Sequence, residues 1–474
     1  MGKNIRRNNK SRKEAKQRNR NNRQRENNAK LNHEALGITN RSITWHWVRY
    51  RPISLYPTIQ FVDEKPTRGP TDTELKAAQD EVKSFRLIKT GLNVIRDPTD
   101  KKSVIAIIEF TRFEDLTDTE KDDLNFVSTF LHDSKKWISA VRSSSRIWGG
   151  LMWAIGWRKS SDTNQIAGRY IKAFNESQMF AYDFHYKKSA RLGTIIGNLF
   201  KKMAHIPFQK NQDLMKEFNL PDFASLSFNE PPADSTCSPH ITFTTNQFFN
   251  PPHKDKNDIS EYAFVLFLPS SAKDGTLVGS SSGYDISSGQ FVFPDHRFGI
   301  DFDHQHGVVK MIWQANKYTH CTMPSSPSSQ FYRLGLSVQI NYSLALTCDK
   351  YIKGYYRDLA NYFADHLYYL KRCIGSSSSP ALSQAPRPRS SIGMSWLTSS
   401  SPFGMSTHWR SALVPDSSRS TRTVPDDETS HPPAWQLCWT LIVETTSYKV
   451  GIAVRNWVIA SDVENNLPQF LQTL

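Results

Sequence analysis

The sequence is poor in cysteine, in long apolar runs and in acidic charge. Only five cysteines occur in 474 residues, and none form close-spaced pairs, which argues against a disulfide framework and a zinc ribbon. No stretch approaches the ~18 consecutive apolar residues of a membrane-spanning helix. The first ten residues, MGKNIRRNNK, lack the apolar centre of a secretory signal. We therefore expect a protein of a reducing compartment that does not enter a membrane.

Hydrophobic residues are also scarce, at 38% of the chain, but aromatic residues reach 12%. A wholly disordered chain would contain few aromatic residues. At ~150 residues per domain, the length suggests roughly two to four units or one large domain with tails. The composition therefore favours a folded core that is diluted by polar segments.

Basic charge is concentrated at the start of the chain. Residues 1–30 contain twelve of the 60 Lys and Arg residues but only two of the 45 acidic ones, so most of the net charge of +15 lies there. These residues include few apolar side chains, which predicts a disordered arm that binds nucleic-acid phosphates without reading sequence. A nuclear import signal and a solubilising terminus are the alternative interpretations. We expect a nuclear location, with the cytoplasm second.

Changes in composition divide the chain into five parts. We predict a disordered basic tail over 1–38, a helical and mixed part over 39–235, a strand-rich core with a closing helix over 236–374, a disordered Ser/Pro-rich linker over 375–434, and an apolar segment without an assigned fold over 435–474. Within the second part, helices are predicted over 117–142 and 165–203. The closing helix is predicted over 355–372.

The strand-rich part has short β-branched and aromatic runs separated by Pro, Gly and Ser. These runs lie at 241–245, 262–268, 290–293, 307–313 and 333–341. Strands at this spacing without intervening helices are typical of a β-sandwich or a double-stranded β-helix. With the helices before it, this part predicts an α+β protein.

Histidine and acidic residues in this part form a candidate metal site. His253 and Asp255 are two residues apart, so in extended chain their side chains point to one face. His320 follows 65 residues after Asp255, and Arg333 follows thirteen residues later, with Ser337 on the same strand face. Two histidines and one carboxylate are the ligands of non-haem Fe(II) oxygenases, which leave positions open for other ligands.

Arg333 supplies the cation that such a site needs for a dicarboxylate cosubstrate. Two open iron positions can take the keto and carboxylate oxygens of 2-oxoglutarate, and a third can take dioxygen. An arginine is suited to bind the far carboxylate in a bidentate manner, and the hydroxyl of Ser337 can add a hydrogen bond.

Two alternatives to this site remain open. His304 and His306 also alternate to one face and can ligate a metal, although no third ligand or arginine follows them in an obvious way. His253 and Asp255 can also be ordinary surface loop residues, with Arg333 paired to a carboxylate.

At these residues the sequence resembles the fungal Tet-like 2-oxoglutarate/Fe(II) dioxygenases of the TET/J-base-binding-protein group. The resemblance spans about 160–370 and rests on 244–255 (TTNQFFNPPHKD), 289–295 (GQFVFPD), 299–302 (GIDF), the GVV run from 307, 319–322 (THCT) and 333–339 (RLGLSVQ). The residues after 375 match nothing in the family, and the tract 324–330 is shorter than expected for it.

The resemblance implies a fold, a ligand set and an activity. The fold would be a double-stranded β-helix of the jelly-roll or cupin type, packed with N-terminal helices. His253, Asp255 and His320 would bind Fe(II), and Arg333 would anchor 2-oxoglutarate. Dioxygen would oxidise the methyl group of 5-methylcytosine in DNA to 5-hydroxymethylcytosine, with further oxidation as an extension.

A base within a duplex must be flipped out to reach such a site, which requires polar groups to read it and rings to stack on it. The residues near the ligand segment that can take these roles are Asn246, Asn250 and Asp258 as readers and Phe248 and Tyr262 as stacking rings. The protein is expected to be a monomer. Rival interpretations are the same chemistry on methyladenine, thymine, RNA or protein, an inactive relative that binds nucleic acid, and an interaction protein without a metal.

Overall fold

The structure is a computed structural model that describes residues 12–24, 27, 36–38, 42–99, 103–143, 145–160, 165–228, 230–303, 307–362, 365, 438–446 and 449–457. The chain divides into two units, Met1–His366 and Leu367–Leu474. None of the helices in the described ranges has both the length and the apolar character that crossing a bilayer requires.

Helices and strands alternate in the first half of the first unit, and strands dominate its second half. The helices are α1 (12–24), α2 (Asp72–Val82), α3 (Asp118–Ser134), α4 (Glu176–Tyr186), α5 (Ser189–Met203), α6 (His205–Glu217) and α7 (Tyr342–Ile352). The strands are β1 (Ile43–Trp47), β2 (Phe61–Val62), β3 (Lys65–Pro66), β4 (Arg86–Ile88), β5 (Leu92–Arg96), β6 (Val104–Arg112), β7 (Gly149–Lys159), β8 (Ala167–Arg169), β9 (His240–Phe249), β10 (Ala263–Ser271), β11 (Phe291–Phe293), β12 (Phe298–Ile300), β13 (Gly307–Trp313), β14 (Cys321–Thr322) and β15 (Phe331–Gln339).

Capping boxes fix where two of the helices begin. Thr71 accepts a hydrogen bond from the backbone N–H of Glu74, whose side chain accepts one from Thr71 in return, and Thr117 and Glu120 do the same for α3. Each box satisfies two backbone donors that a helix start leaves unpaired. The predicted helix from 117 therefore begins where expected, but it ends at Ser134.

Nine strands form one large, mostly antiparallel sheet in the order β1-β5-β6-β13-β10-β15-β9-β7-β8. Its central strand β10 is buried on both faces. Phe264, Leu266 and Leu268 belong to one apolar cluster, whereas Val265 and Phe267 belong to another. Because side chains alternate between the faces of a strand, β10 separates two hydrophobic cores.

Helices cover one face of the large sheet, and a small sheet covers the other. The helical core joins side chains of α3, α5 and α6 to the large sheet. The second core joins the large sheet to a four-stranded sheet of order β14-β11-β12-β4. The result is a mixed α and β fold in three layers, and strands from both predicted parts, 39–235 and 236–374, share the large sheet.

Two predicted helices differ from the structure. The range 165–203 contains the short strand β8 before α4 and α5, because Ala167–Arg169 pairs with the end of β7. Within the predicted closing helix 355–372, residues 359–362 and 365 are helical, and the separate helix α7 precedes them, capped by Asn341, which accepts from the N–H of Ser343. Apolar periodicity predicted that helices lie in these regions, but it did not show the strand pairing and the capping that set their ends.

The basic tail contains regular structure that was not predicted. Where the sequence predicts disorder over 1–38, residues 12–24 form α1 with exposed side chains. Lys, Arg, Gln, Glu and Ala are good helix formers even without burial. Leu36 and Ile38 are buried in the helical core, so the folded unit begins before residue 39.

The second unit contains one described hairpin. Strands β16 (Cys438–Thr446) and β17 (Lys449–Trp457) pair antiparallel, within the segment 435–474 to which the sequence assigned no fold. The predicted linker over 375–434 lies outside the described residues.

The helical core predicts a large effect of one aromatic residue on stability. Phe200 of α5 is fully buried, stacks on Phe264 at 5.2 Å between ring centroids and meets Phe208 edge-on at 5.7 Å. We expect Phe200→Ala to lower the free energy of unfolding by about 3–5 kcal/mol. The matched control Phe184→Ala removes a ring that is 61% exposed and should change it by about 0.5 kcal/mol or less. Urea denaturation followed by tryptophan fluorescence measures both, and equal effects would contradict this packing.

Candidate metal centre

Side chains from two segments that are distant in the sequence meet between the end of β9 and the start of β14. His253 and His320 form an isolated antiparallel bridge, in which each backbone N–H donates to the other residue's carbonyl oxygen at 3.0 Å. Two residues after His253, the N–H of Asp255 donates to the carbonyl of Ala315 at 3.0 Å. Backbone hydrogen bonds therefore fix the positions of all three residues before any side-chain contact is considered.

The three side chains form the metal-ligand cluster found among the described residues. One ligand atom from each of His253, Asp255 and His320 lies within 4.8 Å of the others. Nε2 of His253 is 3.5 Å from one Asp255 carboxylate oxygen, and Nε2 of His320 is 3.6 Å from the other. The predicted triad is therefore brought together, and its donor set of two imidazoles and one carboxylate fits Fe(II).

The tautomers of both histidines suit metal binding. Nδ1 of His253 lies 2.9 Å from the carbonyl oxygen of Pro251, and Nδ1 of His320 lies 2.9 Å from that of Tyr318. A carbonyl can only accept, so each Nδ1 carries the proton. The lone pair of each Nε2 is then available toward the centre, as metal-ligating histidines require.

Charge interactions within the triad keep its carboxylate ionised. Burial acts to raise the pKa of Asp255, but the neighbouring His253 and His320 side chains hold that pKa well below its ordinary value. Burial and the charge of His253 lower the pKa of His320. For His253, burial is the largest single influence and acts to lower the pKa, but the Asp255 carboxylate and the Pro251 carbonyl together raise that pKa above its ordinary value. An anionic carboxylate beside imidazoles is the protonation state that binds a divalent cation.

The centre is open on one side only. The side chains of His253 and Asp255 are 28% and 26% exposed, whereas that of His320 is 3% exposed. The ring of Phe291 stacks on His320 at 5.4 Å, and Trp313 meets it edge-on at 5.6 Å. These aromatic rings hold the His320 imidazole and exclude water from behind it.

Strand β15 directs polar side chains toward the triad. Nε2 of Gln339 donates to the carboxylate of Asp255 at 2.7 Å. Arg333 and Ser337 alternate with buried residues along β15 and lie on the same face as Gln339. The opposite face, with Leu334, packs into the helical core. The predicted arginine and serine therefore share the strand face that reaches the metal ligands.

The guanidinium of Arg333 is held in a defined position. Its Nη1 donates to the carbonyl of Gly289 at 3.2 Å, and its Cζ lies 4.0 Å above the ring of Phe302. Burial lowers the pKa of Arg333, while Tyr284 and Asp303 nearby act to raise it. Arginine stays protonated under such shifts, so a half-buried cation lies on the inner face of β15.

The five predicted substrate contacts differ in their surroundings. Asn246 is exposed and has a positive φ of 58°. It lies near the half-buried Phe248, at the point where the pairing of β7 with β9 shifts register. Asn250 accepts from the N–H of Thr322 at 2.8 Å and so positions β14. Asp258 donates its N–H to the carbonyl of Asp255 at 3.1 Å.

Tyr262 does not lie where the prediction requires. It is 5% exposed, belongs to the helical core, and its hydroxyl accepts from Nε2 of Gln314 at 3.3 Å. The sequence placed it just before a strand but could not show which face it occupies. Its ring is therefore not available to stack on a base.

The competing pair, His304 and His306, lies outside the described residues. Gln339 was not predicted as a site residue, although its position two residues after Ser337 on one strand gives the period-2 signal that identifies it. Gly289 and Phe302, which hold Arg333, lie in the family-like stretches 289–295 and 299–302, but nothing in their spacing predicts a contact with Arg333.

Comparison with known families agrees with this geometry. The family model of the Tet-like 2OG-Fe(II) oxygenase superfamily matches residues 117–325. The match begins at the cap of α3 and includes all three ligands, whereas Arg333 and Ser337 lie after it. No curated protein matches the chain. Residues 117–325, which contain all three ligands of the triad, are therefore similar to the Tet-like 2OG-Fe(II) oxygenase superfamily.

Proposed function

We propose that this protein is a 2-oxoglutarate- and Fe(II)-dependent dioxygenase that oxidises the methyl group of 5-methylcytosine in DNA. The observation that carries the proposal is the convergence of His253, Asp255 and His320 with free Nε2 lone pairs, on the same side of β15 as Arg333. The family match supports the reaction class. The substrate and the fungal branch of the family are inferred from the sequence resemblance.

The two facing sheets are interpreted as the two sides of a double-stranded β-helix. The small sheet β14-β11-β12-β4 packs through Phe291 and Phe293 on Val265 and Met311 of the large sheet. The metal ligands lie at one end of this layer, on the bridge that leads into β14. A site between two sheets is shielded from water except at its mouth.

The described residues would hold iron and 2-oxoglutarate in distinct ways. The triad would occupy one face of Fe(II) and leave the remaining positions for cosubstrate and dioxygen. Bound Fe(II) and 2-oxoglutarate would supply dioxygen activation, with conversion of the cosubstrate to succinate and carbon dioxide and transfer of one oxygen atom to the methyl group. Arg333 would bind the far carboxylate through paired N–H donors, and Ser337, whose hydroxyl lies 2.9 Å from that of Thr242, would support it.

Asp258 is the strongest candidate to read the target base. It follows the metal ligand Asp255 by three residues, and its backbone forms an antiparallel bridge with Asn341. Burial and the charge of Asp255 raise the pKa of Asp258 well above its ordinary value. A protonated carboxyl can donate a hydrogen bond to an acceptor on the pairing edge of cytosine. Asn246 and Phe248 remain further candidates at the bulge of β9.

The basic arm would supply phosphate contacts. Helix α1 exposes its Lys and Arg side chains, so DNA affinity should fall steeply with salt while base preference stays unchanged. A nuclear location and a monomeric state are part of the same proposal.

The proposed activity has a direct test. The full-length protein with Fe(II), ascorbate and 2-oxoglutarate should convert methylated duplex DNA to hydroxymethylated DNA, detected by mass spectrometry. His253→Ala and Asp255→Ala should each abolish product, because each removes a metal ligand. Oxidation of methyladenine, thymine, RNA or protein instead of 5-methylcytosine would support the proposed reaction but contradict the proposed substrate. Full product from both variants would overturn the triad.

The position of Arg333 predicts a specific effect on the cosubstrate. Gly289 has a φ of +70°, and a Cβ there would lie 2.6 Å from Nη1 of Arg333, whereas Gly283 has a φ of +76° with nothing within 4 Å of its Cβ position. Both Gly→Ala changes strain the backbone, but only Gly289→Ala displaces the guanidinium. We expect Gly289→Ala to weaken 2-oxoglutarate binding about tenfold or more, the value of one charge-assisted hydrogen bond.

Gly283→Ala serves as the control for backbone strain alone. Titration calorimetry with the Mn(II)-loaded protein gives both affinities without turnover. Equal affinities in the two variants would show that Arg333 does not anchor the cosubstrate.

A further inference from the structure

We propose that an N-terminal surface beside the metal centre binds a nucleobase that neighbours the target base, with Phe61 as its stacking ring. This inference rests on the proposed function, and it assigns a substrate contact to residues that precede the matched family region. The surface is named here the flanking surface and comprises Tyr50, Tyr56, Phe61, Pro252, Lys254 and Thr319.

The flanking surface contains a cavity of about 170 Å³. Its walls include Tyr56 and Phe61 from the N-terminal segment, Pro252 and Thr319 from the ligand-bearing segments, and Pro294. An apolar cavity of about 150 Å³ can hold a benzene ring. The cavity can therefore accept one flat six-membered ring, such as that of a pyrimidine.

The position of the cavity separates it from the metal site. Pro252 directly precedes His253, and Thr319 directly precedes His320. These two residues line the cavity, whereas none of the three metal ligands does. The cavity therefore lies next to the metal site and apart from it, where a neighbouring base can lie and the target methyl group cannot.

The hairpin that carries Phe61 contacts the metal-binding segment through an ion pair. Strands β2 and β3 pair as a short hairpin, and Glu64 at its turn forms an ion pair with Lys256, the residue after Asp255. Phe61 is 38% exposed, so its ring is partly open to solvent beside the cavity. A substrate held at the metal would therefore pass close to this ring.

The rim of the flanking surface is basic and aromatic. Tyr50 is 59% exposed and meets His296 edge-on at 5.6 Å, one residue from Arg51, whose N–H donates to the carbonyl of Asp295. The side chains of Arg49, Arg51 and Lys254 are exposed. Aromatic rings interleaved with cations are the pattern that binds unpaired nucleic-acid strands, since every base can stack and every phosphate is anionic.

Base flipping explains why such a surface is useful. Extruding the target removes a stacking partner from its neighbours and costs unstacking free energy. A ring that stacks on a neighbour recovers part of that cost. The flanking surface would thus stabilise the flipped complex and make DNA affinity depend on the identity of the adjacent base.

The test compares Phe61→Ala with Phe180→Ala, a control that removes an 80% exposed ring of α4. Fluorescence anisotropy of the full chain loaded with Mn(II) and 2-oxoglutarate measures its binding to a methylated oligonucleotide. We expect Phe61→Ala to weaken binding about tenfold, Phe61→Trp to restore it and Phe180→Ala to leave it unchanged. Succinate release without DNA should be the same in all four proteins.

Abasic substrates then identify the stacked base. Replacing the base on one side of the target by an abasic site should weaken wild-type binding about tenfold, and Phe61→Ala should add no further loss on that oligonucleotide. Equal binding of Phe61→Ala and Phe180→Ala by an enzyme that oxidises DNA would overturn this inference alone. An enzyme that releases succinate but oxidises only peptides would overturn the proposed function and this inference with it.

Discussion

The antiparallel bridge between His253 and His320 is the constraint on which the site depends. Its two backbone hydrogen bonds, each 3.0 Å long, join the segment that follows β9 to the start of β14. The bridge belongs to the backbone, so it places the two imidazoles before any metal binds. Each ring is then oriented by a hydrogen bond from Nδ1 to a carbonyl of its own segment. A centre that is held in this way is organised in advance, which lowers the cost of binding the ion.

The alternation of β15 connects this centre to the rest of the fold. One face of the strand packs Leu334, Leu336 and Val338 into the helical core, and the other carries Arg333 and Gln339 toward the site. A shift of one residue in register would exchange the two faces. The apolar face therefore fixes the polar one, and the stability of the helical core determines where the guanidinium lies.

The ligand set could be predicted from the sequence because residue types and spacings mark it. A histidine and an aspartate two apart, a histidine 65 residues later and an arginine thirteen residues after that, in a strand-like run, are visible without a fold. The surroundings were not visible, because they come from register between distant strands. Gly289 and Phe302 reach Arg333 from other segments, and Tyr262, which directly precedes β10, packs into the helical core.

The sequence likewise predicted some elements of the fold and not others. Short β-branched and aromatic runs predicted the strand-rich part, and apolar periodicity predicted a helix from residue 117, where the capping box of α3 lies in the structure. The same reasoning predicted one helix over 165–203 and missed β8, since three residues that pair with β7 leave no periodic trace. Helix α1 was not predicted because a tail with few apolar side chains was expected to be disordered, although its Lys, Arg, Gln, Glu and Ala residues favour a helix.

The most direct test of the central claim is the anaerobic visible spectrum of the full-length protein with Fe(II) and 2-oxoglutarate. Chelation of the iron by the keto acid gives a metal-to-ligand charge-transfer band, and the account predicts that this band forms with both components present and is lost in His253→Ala. A folded wild-type protein that shows no band, or a His253→Ala protein that shows the full band, would contradict the assignment of the centre.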